Sequence, residues 1–449
     1  MEIKYEGEKL VLSGMDCKCG MNHVEPDMDI YIGNGILKNC ASYFKKRNFG
    51  KKALLVADNI TYGIAGKKVE TLMKEAGFDV SLCLLEREHE LEPDESALGE
   101  ILFALDKDTD FLVSVGSGSI TDLTRYVAFN TKRPFVSVGT AASMDGYTSV
   151  VAPLLNKGVK VNRPSTHPKV LVCDIDIIKN APYDMMYSGF GDVLGKYIAK
   201  ADWIAGRIIN GEQYCPMCAD LAVEAVEKCI ANADGIRNRT DEGIKSLIEA
   251  LILAGITILI IGNTRPVASA EHNMAHYWEM MKLLKKEKAP AHGTSVGVAT
   301  AYAMKFFEHF LQSDFTKVDK AAVRSKAKTR QQREKEMIEY YGVKAGTSIM
   351  KENPEDFLDW SEQERRIDAI VNNIDKIREE LKFLPSSKEV IEILKKVASP
   401  LTAEEIGVED ELLKKALMCA KDYRSRYTLF KSADEVGLLE EIVEKVLKG

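Results

Sequence analysis

Residues 111–122 read FLVSVGSGSITD, an apolar, β-branched run that breaks into a glycine turn and then into helical spacing. A short apolar run bounded by glycine is the pattern of a strand buried on both faces. Gly116 and Gly118 lack the side chains that would hold a ligand away from the backbone, and the helix start beyond them offers free N–H groups. A pyrophosphate suits such a turn. The spacing is G-x-G-S-x-x-D and lacks the third glycine of the usual dinucleotide fingerprint, so an ordinary tight turn stays open beside the nucleotide reading.

Further apolar runs lie on both sides. MDIYIGNGIL (28–37), KKALLVAD (51–58), VSLCLLE (80–86), PFVSVGT (134–140) and KVLVCDIDII (169–178) all carry strand spacing, and helical periodicity falls between them, as in GIAGKKVETLMKEAG (63–77). Strands alternating with helices imply a parallel sheet covered by helices on both faces. Beyond about residue 183 only helical spacing remains. The expected division is therefore an α/β domain over 1–182 and an all-helical domain over 183–449. LIEALILAGITILIIGNT (247–264) is the most apolar stretch, but Glu249 interrupts it, and it reads as a buried helix rather than a membrane span.

At 449 residues, two domains are the natural expectation. The chain is 45% hydrophobic with a formal net charge of −7, which fits a globular enzyme and argues against nucleic acid as the main partner. The N-terminus shows no basic region followed by an apolar core, so a cytoplasmic location is expected. The charged stretch from 317 to 385 balances its basic run with acidic residues and interleaves no aromatics there, which reads as a solvated helical insertion. Nine cysteines suggest reduced thiols in such a compartment. Cys215-Pro-Met-Cys218 has redox or zinc spacing without a second such pair, and Pro216 suits a helix start. Cys17-Lys-Cys19-Gly-Met-Asn-His23 has the makings of a small metal clip, but no clear fourth ligand.

Chemistry concentrates in three later segments: GFGD (189–192), AEHNMAHYWEM (270–280) and AHGTSVG (291–297). Of only seven histidines, three fall in the last two. Asp192 with two histidines would be a full protein ligand set for a catalytic divalent metal, with a position left open for substrate. His272 and His276 share a helix face. Their order, E-H-x-x-x-H, differs from that of the zinc-protease helix. A satisfied structural histidine is the alternative for each. Thr140, Ser143 and Ser149 supply hydroxyls after the 134–139 strand, and Asp145 sits in a turn-like Met-Asp-Gly.

Together, VGSGSITDLTRYVA (115–128), TAASMDGYTS (140–149), SGFGDVLGKYIAKADW (188–203), NTRPVASAEHNMAHYWEM (263–280) and AHGTSVGVA (291–299) resemble the sn-glycerol-1-phosphate dehydrogenase family, in its bacterial branch. That family lies within the superfamily of dehydroquinate synthase-like and metal-dependent alcohol dehydrogenases, so the resemblance implies a Rossmann-like α/β domain followed by an all-α domain. It implies Asp192, His272 and His292 as metal ligands. It implies Asp145, Asp192 and His276 at the substrate, with His276 and Asp145 as catalytic candidates. It implies Gly116, Ser117, Gly118, Ser119, Ile120, Thr140, Ser143 and Ser149 at the nicotinamide nucleotide. Two segments depart from the family: it usually reads closer to SRPASGAEH where this chain has TRPVASAEH, and the basic stretch around 317–335 has no match in it.

The activity so implied is reduction of dihydroxyacetone phosphate to sn-glycerol 1-phosphate with NAD(P)H by a homodimer. Asp58, at the end of a strand, reads as a ribose-binding carboxylate that favours NADH, with a helix N-cap as its other role. One divalent metal is expected, and the donor set suits zinc, nickel, iron or cobalt, with zinc or nickel foremost. A polyol dehydrogenase acting on an unphosphorylated substrate and a dehydroquinate synthase-like lyase are the alternatives.

Overall fold

The computed structural model describes residues 2–448 apart from 16, 89 and 354–357. Among the described residues there are ten strands: β1 (Glu2–Glu6), β2 (Lys9–Ser13), β3 (Asp29–Gly33), β4 (Lys52–Asp58), β5 (Asp79–Leu85), β6 (Phe111–Gly116), β7 (Phe135–Gly139), β8 (Val151–Asn156), β9 (Val159–Pro164) and β10 (Val170–Asp174). Eight form one sheet in the order β1-β2-β3-β10-β7-β6-β4-β5, and β8 and β9 form a separate hairpin. From β3 to β5 every pairing is parallel. The expected parallel sheet is present, and β1 and β2 add to it antiparallel at one edge. A two-residue connection between β1 and β2 permits only that direction.

Both faces of the inner parallel strands β4, β6, β7 and β10 are buried, which is why those strands read as continuous apolar runs, while β5 at the edge exposes Asp79, Ser81 and Leu82. Alternate residues of β4 and β6 diverge. Leu55 and Val113 join a cluster with Phe44, Val69 and Met73, while Leu54, Val56 and Leu112 join another with Ile101, Leu123 and Val127.

Chain contacts divide the protein into two compact units, one of residues 1–193 and 217–264, the other of residues 194–216 and 265–449. The boundary expected at 182/183 follows the change from strand to helix, whereas the units interleave in sequence. All ten strands belong to the first unit, as does the helix Asp241–Ile261. That helix is long and apolar enough to cross a membrane, but its most apolar window is 83% buried, as in a core helix.

Among the described residues the second unit is helical. Its helices include Lys196–Asn210, Ala270–Leu284, His292–Gln312 and Trp360–Glu380. Trp278, Phe306 and Tyr341 are fully buried there, and Phe306 stacks on Phe430 with ring centroids 3.8 Å apart. The charged 317–385 stretch forms helices, although 354–357 lie outside the described residues. Ile367, Ile370, Ile374 and Ile377 bury one face of Trp360–Glu380, and ion pairs such as Lys320–Asp368 at 2.5 Å and Arg366–Glu435 at 3.0 Å tie it laterally.

Candidate active site

In the first unit, the chain leaves β4 for β5 on one side and returns to place β6 on the other. Such a reversal of winding opens a crevice at the carboxyl ends of the two strands. Asp58 ends β4 and Gly116 ends β6, and the pairing of Val56 with Ser114 sets them level. The glycine turn leads into a helix, Gly118–Asn130, whose N-cap Ser117 makes no side-chain capping bond. A nucleotide phosphate is suited to those N–H groups. At Gly116 a Cβ atom would lie 2.7 Å from the Ile120 side chain, so this glycine also serves strand-to-helix packing. Asp58 visibly caps a helix: its Oδ1 accepts the Thr61 N–H at 2.6 Å, and the Thr61 hydroxyl accepts the Asp58 N–H at 3.2 Å.

The 140–149 segment is built around a buried cation. Arg125, fully buried on the Gly118–Asn130 helix, donates to the carbonyl oxygens of Ser149 (2.9 Å), Tyr147 (3.1 Å), Val151 (3.3 Å) and Gly146. Those carbonyls surround the short 3-10 turn Asp145–Thr148. Ser149 Oγ meanwhile accepts from the Val151 N–H at 3.0 Å, so its hydroxyl shapes the turn exit. Thr140 is buried beside Gly116, whose carbonyl accepts its N–H at 3.1 Å. The neighbouring Asp122 carboxyl is pushed up to about 7 by burial, with Arg125 opposing the rise from 3.5 Å.

Asp192 is fully buried on the helix Tyr183–Leu194, and its Oδ2 accepts the backbone N–H of Asp145 at 3.0 Å. Gly189 makes that approach possible. A Cβ there would sit 2.0 Å from the Ala142 carbonyl oxygen, so only glycine lets the helix lie so near the segment.

In the second unit, three histidine rings cluster. His272 lies 6.1 Å from His276 and 5.3 Å from His292 between ring centroids, and His276 stacks on His292 at 5.0 Å. Two buried glutamates orient them. Glu271 Oε1 lies 2.6 Å from His272 Nδ1, and Glu279 Oε1 lies 2.8 Å from His292 Nδ1, while Glu279 Oε2 is 3.5 Å from His276 Nδ1. With a proton on Nδ1 donated to each carboxylate, Nε2 of His272 and His292 carries the lone pair a metal needs. The donor chemistry therefore fits a divalent metal. One donor atom from each of His276, Glu279 and His292 also lies within 4.8 Å of the others, a competing trio.

The start of the His272 helix is held by Asp202, which accepts from Ser269 Oγ at 2.6 Å, the Ala270 N–H at 3.3 Å and the Leu429 N–H at 2.7 Å. Arg265 fixes the preceding turn through two 2.8 Å bonds to Glu212 and one of 2.9 Å to the Asp202 carbonyl. Those bonds commit Arg265 to the scaffold, where the TRPVASAEH variant of the motif is accommodated.

The chain matches the model of the iron-containing alcohol dehydrogenase family over residues 31–182. A protein of Halalkalibacterium halodurans named glycerol-1-phosphate dehydrogenase (NAD(P)+) is 31% identical over 427 residues, 94% of this chain and 96% of that one. One of the same name in Bacillus licheniformis is 30% identical over 431 residues, 96% and 94% of the two chains. The chain belongs to the glycerol-1-phosphate dehydrogenase family. In fold it is similar to a probable glycerol dehydrogenase from Sinorhizobium meliloti, with a TM-score of 0.61 at 15% identity over 96% of this chain and 99% of that one.

For this member of the glycerol-1-phosphate dehydrogenase family, two residues escaped the sequence reading. Glu279 follows His276 by three residues on one helix, a spacing that signals a pair, but its bond to His292 depends on how two helices pack. Arg125 stands in plain view in TDLTRYVA, yet its carbonyl acceptors begin 21 residues later. Carboxylates that hold ligating histidines typically matter to metal affinity by roughly 10–100-fold. Glu271→Ala and Glu279→Ala should each weaken metal binding by that order in a chelator competition, with activity regained at excess metal. Unchanged affinity in both would show that these carboxylates do not prepare the histidines.

Proposed function

We propose that this protein reduces dihydroxyacetone phosphate to sn-glycerol 1-phosphate with NAD(P)H, using a divalent metal held by Asp192, His272 and His292. The observation that carries this reading is the buried carboxylate on Nδ1 of both His272 and His292, which prepares two imidazoles as ligands within a chain of this family. Zinc and nickel both suit one carboxylate and two imidazoles. When bound, the metal supplies Lewis-acid polarisation of the ketone oxygen and the nucleotide supplies the hydride.

The chain's own residues do the rest. The turn from Gly116 to Ile120 takes the pyrophosphate on backbone N–H groups, and Thr140, Ser143 and Ser149 line the nucleotide. Asp145 holds a substrate hydroxyl from a turn that Arg125 keeps rigid. His276, one helical turn from His272, delivers the proton that the new hydroxyl requires, and Glu279 orients its ring. A homodimer in the cytoplasm is the assembly and location that we propose with this activity.

Product handedness tests the reading. The enzyme is run to completion on dihydroxyacetone phosphate with excess NADH, and the product is offered to a dehydrogenase specific for sn-glycerol 3-phosphate. The product should resist oxidation. Its complete oxidation would overturn the proposal, and turnover of free dihydroxyacetone with none of the phosphate would make the protein a polyol dehydrogenase.

We further propose that NADH is preferred over NADPH because Asp58, level with the glycine turn, repels a ribose 2′-phosphate. Asp58→Asn keeps the helix cap while removing the charge. A repulsion of about 1.4 kcal/mol is roughly tenfold in the ratio of specificity constants, and the substitution should erode the NADH preference by that order. Equal specificity constants for the two cofactors in the unsubstituted enzyme would contradict the assignment.

A further inference from the structure

The connection from β2 to β3, residues 14–28, contains no helix or strand among its described residues. Connections of this length without structure of their own are uncommon in compact proteins and tend to be functional. This one is tethered near its middle, where the Val24 N–H donates to the Ile260 carbonyl at 3.1 Å. Just before that tether stand Cys17, Cys19 and His23. Their sulfurs and a ring nitrogen lie within 4.8 Å of one another, and Cys19 Sγ is 3.2 Å from His23 Nε2. Gly20, at φ +78°, turns the chain back directly after Cys19 and so returns His23 toward the thiols.

We propose that Cys17, Cys19 and His23 form a second metal site, for a thiophilic divalent cation of the zinc class, separate from the catalytic metal. Bonds of about 2.3 Å to sulfur and about 2.05 Å to nitrogen put tetrahedral ligand atoms roughly 3.6–3.8 Å apart. The three donors are already gathered near that spacing. Neither cysteine is in a disulfide. Binding deprotonates both thiols and releases two protons, and a fourth ligand, solvent or a thiolate, completes the tetrahedron. The cation staples an otherwise irregular segment in the unit that carries the nucleotide crevice. Its role is structural, since none of these residues belongs to the proposed reaction machinery.

The ligand chemistry makes the two metals distinguishable. The proposed catalytic set is one carboxylate and two imidazoles, so thiolate-to-metal charge transfer can come only from a cysteine site. The full-length protein is loaded with cobalt(II) and its near-ultraviolet spectrum recorded. A thiolate-to-cobalt charge-transfer band is expected, and its intensity counts the thiolates bound. In the Cys17→Ser/Cys19→Ser double variant the band should vanish and zinc content should fall by about one equivalent per chain, while reduction of dihydroxyacetone phosphate stays within about twofold of the parent (~0.4 kcal/mol). Absence of the band from the unsubstituted protein would overturn the proposal, whether or not the variant folds. So would a band of equal intensity in a folded double variant.

Discussion

His292→Ala should yield a folded protein without its catalytic metal and without measurable turnover. Lewis-acid polarisation of a carbonyl is worth several kcal/mol, and about 4 kcal/mol is roughly a thousandfold in rate. Asp192→Ala and His272→Ala should behave alike, because each removes a proposed ligand. His276→Ala should instead retain the metal and lose rate by roughly 10²–10⁴-fold, the usual worth of a general acid. This pattern discriminates between the two donor sets that share His292. If His276, Glu279 and His292 were the ligands, His276→Ala would lose the metal and His272→Ala would keep it. Elemental analysis of the four variants, read beside kcat, decides. Full metal occupancy in His292→Ala would dismiss both sets.

The parallel core of the sheet was legible because burial on both faces demands uninterrupted apolar residues, as in ALLVA of β4 and FLVSV of β6. β1 and β2 were not, because EIKYE and KLVLS are short and carry charges on their exposed sides. The β8–β9 hairpin was hidden by Pro153 inside β8, although Lys157 and Gly158, both at positive φ, give it a turn signal that could have been weighed. At the site, His272, His276 and His292 announced themselves by rarity and flanking sequence. Glu271 was readable as a partner of His272 from its place beside it in the sequence, whereas Glu279 was not, since acidic residues are common in this chain and only the packing of two helices makes this one the partner of His292. Asp58 had two roles available in the sequence, and the helix cap is the one its hydrogen bonds display.

Arg125→Met should cost both stability and turnover, because the guanidinium ties the backbone around the Asp145–Thr148 turn to the Gly118–Asn130 helix. Four carbonyl oxygens accept from it, and removing a donor from a buried acceptor costs about 1–3 kcal/mol each before relaxation. Single substitutions seldom exceed about 4–5 kcal/mol, so a loss of about 3–5 kcal/mol is expected. The effect has a pH signature. Burial holds the Asp122 carboxyl at about 7 in the folded protein, against about 3.9 when unfolded, so its contribution falls as pH rises between those values. Arg125 restrains that rise in pKa. Without it Asp122 should titrate higher still, so the fall in stability continues to higher pH and the gap between parent and variant widens above pH 7. Turnover should suffer even where the variant remains folded, because the turn carries Asp145, and the Asp145 N–H is what Asp192 accepts. Thermal unfolding of both proteins from pH 6 to 9, with kcat measured well below the melting transition, separates the two effects. An Arg125→Met protein that melts and turns over like its parent would mean that the Asp145 turn is held by its own packing, and that the buried guanidinium is replaceable.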